Sequence, residues 1–294
     1  MRVLHLSDVH VDVPFVAMPA RGWTSPKRWL GGANLALRRR ARFRDAREKL
    51  QQLADFQSKM DVDLVICTGD YTALGTEPEL VAARAAIEPL THAPLGFVTV
   101  PGNHDVYVAD ALGRFERIFA DLLTTDRPEH RVDGVWPIVR IIDDTVAVVA
   151  ISSARPNPQP WRSSGRIPDP QIRALGGILP ELAGRFVFVI THYAPRLEDG
   201  RADRYSHGLR NADALLEACA GLRGAILHGH VHRTFRVDVP NVAPTIFGAG
   251  STTEAENEGF WLFDIGPARA TATRGAYEAG RYVLVGSGHE FAHM

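Results

Sequence analysis

Residues 1–10 read Met-Arg-Val-Leu-His-Leu-Ser-Asp-Val-His, an apolar run, Val3–Ser7, that ends in a turn bearing Asp8-Val9-His10. The construction recurs along the chain. Leu64–Thr68 delivers Gly69-Asp70, Phe97–Val100 delivers Pro101-Gly102-Asn103-His104-Asp105, Phe186–Thr191 delivers His192, and Ala225–Leu227 delivers His228-Gly229-His230-Val231-His232. These runs belong to a longer series of short β-type stretches at 2–7, 62–68, 96–100, 146–151, 186–191, 224–228, 235–239, 243–247 and 259–265. Between many of them, at 41–58, 77–91, 108–123, 169–182 and 211–220, apolar residues recur at helical spacing. Strands alternating with helices, with strand-only stretches near the C-terminus, predict an α/β protein whose mixed sheets are covered by helices on their outer faces. In open α/β sheets ligands bind at the carboxyl ends of the strands, so the five tips are expected to converge.

Mixed Asp, Asn and His donors suit divalent ions of the Mn, Fe and Zn group, whereas thiolate-rich sets favour structural zinc and all-oxygen sets favour Ca or Mg. Asp8-Val9-His10 and His230-Val231-His232 place alternate residues on one side of an extended segment, where both can face one pocket. The number of donors points to two ions. Asp70, beside a glycine that leaves room for close approach, is the natural bridging carboxylate.

At this point the residues resemble the calcineurin-like metallophosphoesterase superfamily, whose pattern is Asp-X-His, Gly-Asp, Gly-Asn-His-Asp/Glu, His, and Gly-His-X-His. All of these blocks stand in order across residues 8–232. The resemblance implies a four-layer αββα sandwich, two mixed β-sheets packed face to face with helices on both outer sides, in a single domain over 1–294. It implies that Asp8, His10, Asp70 and His232 hold one metal and Asp70, Asn103, His192 and His230 the second. His104 would be the catalytic residue that contacts the phosphate and assists the leaving group. Two divalent ions against two carboxylates leave a charge of about +2 that draws in phosphate, and metals roughly 3.5–4 Å apart activate a bridging water for in-line attack. The implied activity is hydrolysis of phosphodiester bonds.

The second block departs from relatives. Many members carry a carboxylate at the position of Ala73, where it orients the catalytic histidine, so His104 must be oriented otherwise or matter less. The block also lacks the Asp-Arg-Gly ending of protein serine/threonine phosphatases, and the third ends in Asp105 where they carry Glu. A phosphoprotein substrate is therefore disfavoured. The pattern is closer to the bacterial phosphodiesterase branch, with its class III cyclic-nucleotide phosphodiesterases. It resembles DNA-repair nucleases and UDP-diacylglucosamine pyrophosphatases more loosely, which keeps a lipid-linked or nucleotide pyrophosphate substrate as the alternative. A non-catalytic scaffold would show substituted ligands, and every expected ligand is present.

The chain is 45% hydrophobic and 23% charged with a formal charge of −1, which excludes collagen-like, disordered and disulfide-scaffold classes. The sum hides a segregation. Residues 21–50 hold Arg21, Lys27, Arg28, Arg38, Arg39, Arg40, Arg42, Arg44, Arg47 and Lys49 against Asp45 and Glu48, a local +8, and the remaining 23 basic and 32 acidic residues carry −9. About thirty residues separate His10 from the helix near Ala41, more than the usual ~2–6 of such a connection, so a basic helical insertion at about 13–40 is expected to overhang the site. Ser25-Pro26 reads as N-cap and first helical residue, with Trp29, Leu30, Ala33 and Leu37 following at helical spacing and Gly31-Gly32 weakening the helix. Arg38, Arg39 and Arg40 are candidate substrate-binding residues. With Trp23, Trp29 and Leu30 they also resemble a segment that seeks anionic lipid, and the bland reading is a solvated face. Nucleic acid is the less favoured partner.

Cys67 in an apolar run and Cys219 in a helical pattern read as two buried thiols, which suits a reducing compartment. No stretch approaches the ~20 apolar residues of a membrane span, and the N-terminus lacks a signal-peptide pattern. The expected location is cytoplasmic, or peripheral on the inner membrane face. His207, on the loop after the His192 strand, is a candidate substrate contact. His5 and His228 read as core residues, His228 with a supporting hydrogen bond behind the ligands, while His92, His130, His289 and His293 have no supporting pattern. Gly229 is expected to permit close backbone approach, and Asp105 to cap the next helix or support His104. Residues 276–294 predict an edge strand or a homodimer contact.

Overall fold

The computed structural model describes residues 1–18, 23, 25–157, 159, 161–240 and 244–293. Strands β1 (Arg2–Leu6), β2 (Leu64–Cys67) and β3 (Phe97–Thr99) run parallel. From β1 the sheet continues antiparallel through β10 (Gly259–Ile265), β11 (Arg269–Glu278) and β12 (Arg281–His293), giving the order β12-β11-β10-β1-β2-β3. The second sheet contains β4 (Ile138–Ile141), β5 (Val146–Ala150), β6 (Phe186–Ile190), β7 (Gly224–His228), β8 (Thr234–Val237) and β9 (Thr245–Ala249) in the order β4-β5-β6-β7-β9-β8. Its four middle strands are parallel, and β4 and β8 are antiparallel edges. Two mixed six-stranded sheets with helices are the expected α/β sandwich.

Strand periodicity explains the layers. In β6, Phe186, Phe188 and Ile190 point to the core shared with the first sheet, while Val187 and Val189 point to the core under α3 (Asp169–Glu181) and α4 (Ala212–Ala218). Between the sheets, Phe188 and Phe247 meet Phe263 at ring distances of 5.3 and 5.0 Å, and Phe247 also meets Trp261 at 5.1 Å. On the far side of the first sheet, Phe260 packs on Phe56 of α2 (Ala46–Lys59). Buried strands of this kind are near-continuous apolar runs, which is why they are legible without a period of two. Two strands are not: β4, and β11, whose Arg-Ala-Thr-Ala-Thr-Arg-Gly-Ala run offers little apolar side chain. β12 is the edge strand that residues 276–294 suggested. Ala243, the first residue of a predicted strand, lies outside the described residues. Cys67 and Cys219 are both buried and unbridged, and burial pushes each thiol up to about 12. Among the described residues no helix is long and apolar enough to cross a membrane.

The long connection after β1 folds as helix α1 (Pro26–Asn34) followed by a π-turn segment, Leu35–Arg39. It packs Val13, Met18 and Leu35 on Ala73 and Leu74 in a small core of its own. The Gly31-Gly32 pair does not prevent the helix, because its charged side is anchored. Arg28 is buried and donates to the carbonyls of Leu74 and Gly75 at 3.1 and 2.9 Å, and buried Lys27 donates to Asn157 O at 3.0 Å.

Other cations of the +8 segment are paired within the chain, Lys49 buried, Arg40 half-buried and Arg42 exposed. Arg40 pairs with Asp12, Arg42 with Glu254 and Lys49 with Glu258. Arg44 and Arg47 are exposed. Arg21 and the side chains of Arg38 and Arg39 lie outside the described residues. Phe247→Ala is expected to cost about 3–5 kcal/mol by emptying the contact between the sheets. Urea unfolding measures this, and a cost below about 1 kcal/mol would contradict the packing.

Candidate metal centre

The loops after β1, β2, β3, β6 and β7 meet at one edge of the two sheets. Asp8, His10, Asp70, His230 and His232 all have left-handed backbone, with φ of +54°, +40°, +59°, +69° and +55°. Such φ is uncommon outside glycine and is tolerated best by Asp, Asn and His. Here it turns the chain sharply at each strand tip and aims the side chains into the crevice, a strain typical of functional sites.

Asp8, His10, Asp70 and His232 bring their donor atoms within 4.8 Å of one another. His10 Nε2 lies 3.4 Å from His232 Nε2, 3.9 Å from Asp8 Oδ1 and 3.8 Å from Asp70 Oδ2, and His232 Nε2 lies 3.0 Å from Asp8 Oδ1. A divalent ion with bonds of ~2.0–2.2 Å holds adjacent ligands about 3–3.6 Å apart and opposed ones about 4.2 Å apart, and edges of 3.0–3.9 Å lie within that span. A second group adjoins it. His192 Nε2 is 3.1 Å from Asn103 Oδ1 and 3.5 Å from Asp70 Oδ2, and His230 Nδ1 is 2.8 Å from Asn103 Oδ1. Asp70 Oδ2 thus faces both groups.

Each ring is fixed by its remote nitrogen. His10 Nδ1–H donates to Thr72 O at 2.8 Å, His192 Nδ1–H to Thr68 O at 2.7 Å, His230 Nε2–H to His207 O at 3.2 Å and His232 Nδ1–H to Glu254 Oε2 at 2.6 Å. These partners set the tautomers and direct the other nitrogen's lone pair inward. For His232 that lone pair faces Asp8 Oδ1, which is buried with no hydrogen-bond donor among the described residues. Two acceptors 3.0 Å apart require positive charge between them. Burial alone would lower the pKa of His232, but Asp8 and Glu254 lift it to about 10, so the pair retains a proton where it lacks a cation. Around Asp70, burial favours the neutral acid, yet His192 and His104 hold the carboxyl well below its usual range. Burial likewise opposes charge on His192, and Asp70 outweighs it, lifting the ring to about 9. The donor set fits metal ions.

His104 sits beside these groups. Its backbone N–H donates to Asp70 Oδ1 at 2.7 Å, its Nδ1–H donates to Ala73 O at 2.6 Å, and its ring stacks on Tyr107 at 5.5 Å. The carboxylate missing at position 73 is therefore replaced by the backbone carbonyl of Ala73 itself. Asp105 does not cap the next helix, whose N-cap is Asp110, and it holds the backbone behind Asp70. It is fully buried and accepts from the N–H groups of Asp70, Tyr71, Thr72 and Gly102 at 2.8–3.0 Å and from Thr72 Oγ1 at 3.1 Å, tying the second loop to the third. The contact is so close that a Cβ on Gly102 would stand 2.1 Å from Asp70 Oδ1. Gly229 serves the same end, since a Cβ there would lie 2.4 Å from Asp8 Oδ2.

A cavity of about 480 Å³ opens over the centre, lined by Asp70, Asn103, His104, His230, His232 and Glu254 and also by Asn34, Arg42, Ser163 and His207. His207 is in the cavity wall, with Nδ1 2.5 Å from Asp203 Oδ2 and its ring 4.2 Å from that of His230. Arg40 is not. Its guanidinium is held by Asp12 and Val13 O over the Phe15 ring, and the arginine in the cavity is Arg42, just after the insertion. His5 and His228 are core residues that burial keeps neutral, with His228 pulled down to about 4 and its Nδ1–H donating to Gly229 O. The sequence reading missed Glu254 and Arg42. Glu254 lies in an acidic loop and Arg42 in a basic run, so neither stands out locally.

Residues 1–234 match a family model described as calcineurin-like phosphoesterase. Over 111 residues, 34% of this chain, the sequence is 36% identical to a Danio rerio protein named "Transmembrane protein with metallophosphoesterase domain", of which the match spans 24%. Among solved structures, a dimetal phosphatase from Danio rerio superposes with a TM-score of 0.68 at 12% identity, covering 100% of this chain and 99% of that one. A purple acid phosphatase from yellow lupin seeds superposes with a TM-score of 0.56 at 13% identity, covering 96% of this chain and 52% of that one. Both share the fold.

Asp105→Asn would aim an amide NH2 at backbone N–H donors that now meet a carboxylate. The expected loss is about 2–4 kcal/mol of stability in denaturant unfolding without metal. A change within about 0.5 kcal/mol would contradict the role of Asp105 as the tie between the loops.

Proposed function

The chain belongs to the calcineurin-like phosphoesterase family, and from that premise we propose that it is a phosphodiesterase. In this reading Asp8, His10, Asp70 and His232 hold one divalent ion and Asp70, Asn103, His192 and His230 a second, with Mn, Fe or Zn suited to the donors. The observation that carries it is Asp70 Oδ2, 3.8 Å from His10 Nε2 in one group and 3.5 Å from His192 Nε2 in the other. When bound, the two ions would supply charge neutralisation at the phosphorus and an activated water.

The chain's own residues do the rest. Ala73 O keeps the His104 ring in one orientation through Nδ1–H, so protonated His104 has its second N–H for the departing oxygen. The His104 N–H occupies Asp70 Oδ1, so Oδ2 is the oxygen turned to both donor groups. Glu254 keeps His232 Nε2 directed at the centre and is itself held by Arg42 at 3.0 Å. Arg42, Asn34, Ser163 and His207 form a polar wall suited to phosphate oxygens. A diester rather than a phosphoprotein is favoured by the absence of the Asp-Arg-Gly ending after Gly69 and by Asp105 in place of Glu.

With Mn²⁺ added, bis(p-nitrophenyl) phosphate is expected to be hydrolysed faster than p-nitrophenyl phosphate. Asp70→Ala should lower kcat/KM by at least about a thousandfold, on the order of 4 kcal/mol. Equal turnover by the variant would refute the assigned centre, and a preference for the monoester would refute the diesterase reading. Glu254→Gln keeps the shape but removes the charge behind His232. Calorimetric Mn²⁺ titration should show affinity falling about 10–100-fold, and unaltered binding would contradict a role for Glu254 in directing His232.

A further inference from the structure

Of the nine exposed large hydrophobic side chains among the described residues, six lie on the connection after β1 and the loops at the cavity wall, and Val81, Val132 and Val285 lie apart from them. Val16, Trp29, Leu30 and Leu37, at 96%, 65%, 60% and 83% exposure, lie on the connection after β1. Trp161 and Tyr205 lie on the loops that carry Ser163 and His207 into the cavity wall. Helix α1 is inside out. Its charged Lys27 and Arg28 are buried and hydrogen-bonded, while Trp29, Leu30 and Ala33 face solvent, and Leu37 continues the exposed stripe. A water-facing helix normally shows the opposite polarity.

The patch is continuous with free positive charge. Trp29 Nε1–H donates to Trp23 O, the Trp23 ring meets Phe15 at 5.5 Å, and Phe15 lies next to Val16 and under Arg40. Beyond Arg40 the same surface carries Arg44 and Arg47, exposed and without an ion pair among the described residues.

We propose that this face docks on an anionic lipid bilayer. Trp and Leu side chains on a short helix suit the headgroup boundary, and unpaired arginines beside them suit anionic headgroups. A second copy is the poorer occupant, because an isologous contact would bring the same arginine-bearing patch against itself. Docking places the cavity mouth at headgroup level, since Asn34 and Arg42 of the same segment line it. The docking does not depend on the hydrolytic reading.

Flotation with vesicles of equal parts phosphatidylcholine and phosphatidylglycerol tests it at low salt. The protein is expected to float with these vesicles and stay behind with phosphatidylcholine alone. Leu30→Ser/Leu37→Ser should weaken binding at least about tenfold, and Arg44→Glu/Arg47→Glu should abolish it. Both variants should keep the far-ultraviolet circular dichroism and any hydrolysis of bis(p-nitrophenyl) phosphate shown by the unmodified protein, so a failed activity assay leaves this test intact. No flotation of the unmodified protein, or equal flotation of the variants, would overturn the proposal. A lipid-free dimer that these substitutions dissolve would overturn it in favour of a second copy.

Discussion

Two lone pairs pointed at each other across 3.0 Å, His232 Nε2 and Asp8 Oδ1, express the constraint on which the rest of the site depends. Strand tips from both sheets deliver acceptors to one buried point, and no described residue donates between them. Such a cluster repels itself unless a cation or proton joins it. Its geometry survives because everything behind it is over-determined. Left-handed turns aim the ligands, carbonyls of Thr68, Thr72 and His207 hold three rings, Glu254 holds the fourth, and Asp105 takes five donors to bind the second loop to the third. The packed sheets behind the tips provide the stiffness against which that strain is held.

The basic connection after β1 serves this arrangement more than its charge suggests. Arg28 fastens helix α1 to the loop that follows Asp70, Lys49 reaches Thr253 O and Glu258, and Arg42 reaches Glu254. A local excess of +8 becomes a set of internal ties between the connection, the loop that bears His104's carbonyl partner, and the loop that bears Glu254. The apolar residues of the same helix are displaced outward in consequence.

Much of the fold and the meeting of the strand tips were legible because both are written locally. Buried parallel strands are unbroken apolar runs, and a metal-competent side chain at a strand's carboxyl end sits within a few residues of the run that positions it. What lies behind the ligands has no such local mark. Glu254 meets His232 across 22 residues and Arg42 across 212, and an acidic loop or an arginine-rich turn gives no sign of the pairing. Arg40, read as a substrate contact from its neighbours in sequence, is spent on Asp12 because the helical segment rotates it away from the cavity. The orientation of His104 through Ala73 O was invisible for a different reason: the residue type at position 73 is irrelevant when the backbone supplies the acceptor. β11 escaped because Ala, Thr and Gly pair by backbone with little apolar signal.

Asp70 lies between the two donor groups and would hold both metal ions of the proposed centre. Electron paramagnetic resonance of the protein loaded with two equivalents of Mn²⁺ tests it directly. A spin-coupled dinuclear signal is expected, and it should be lost in Asp70→Asn. A spectrum of two isolated, uncoupled ions in the unmodified protein would contradict it.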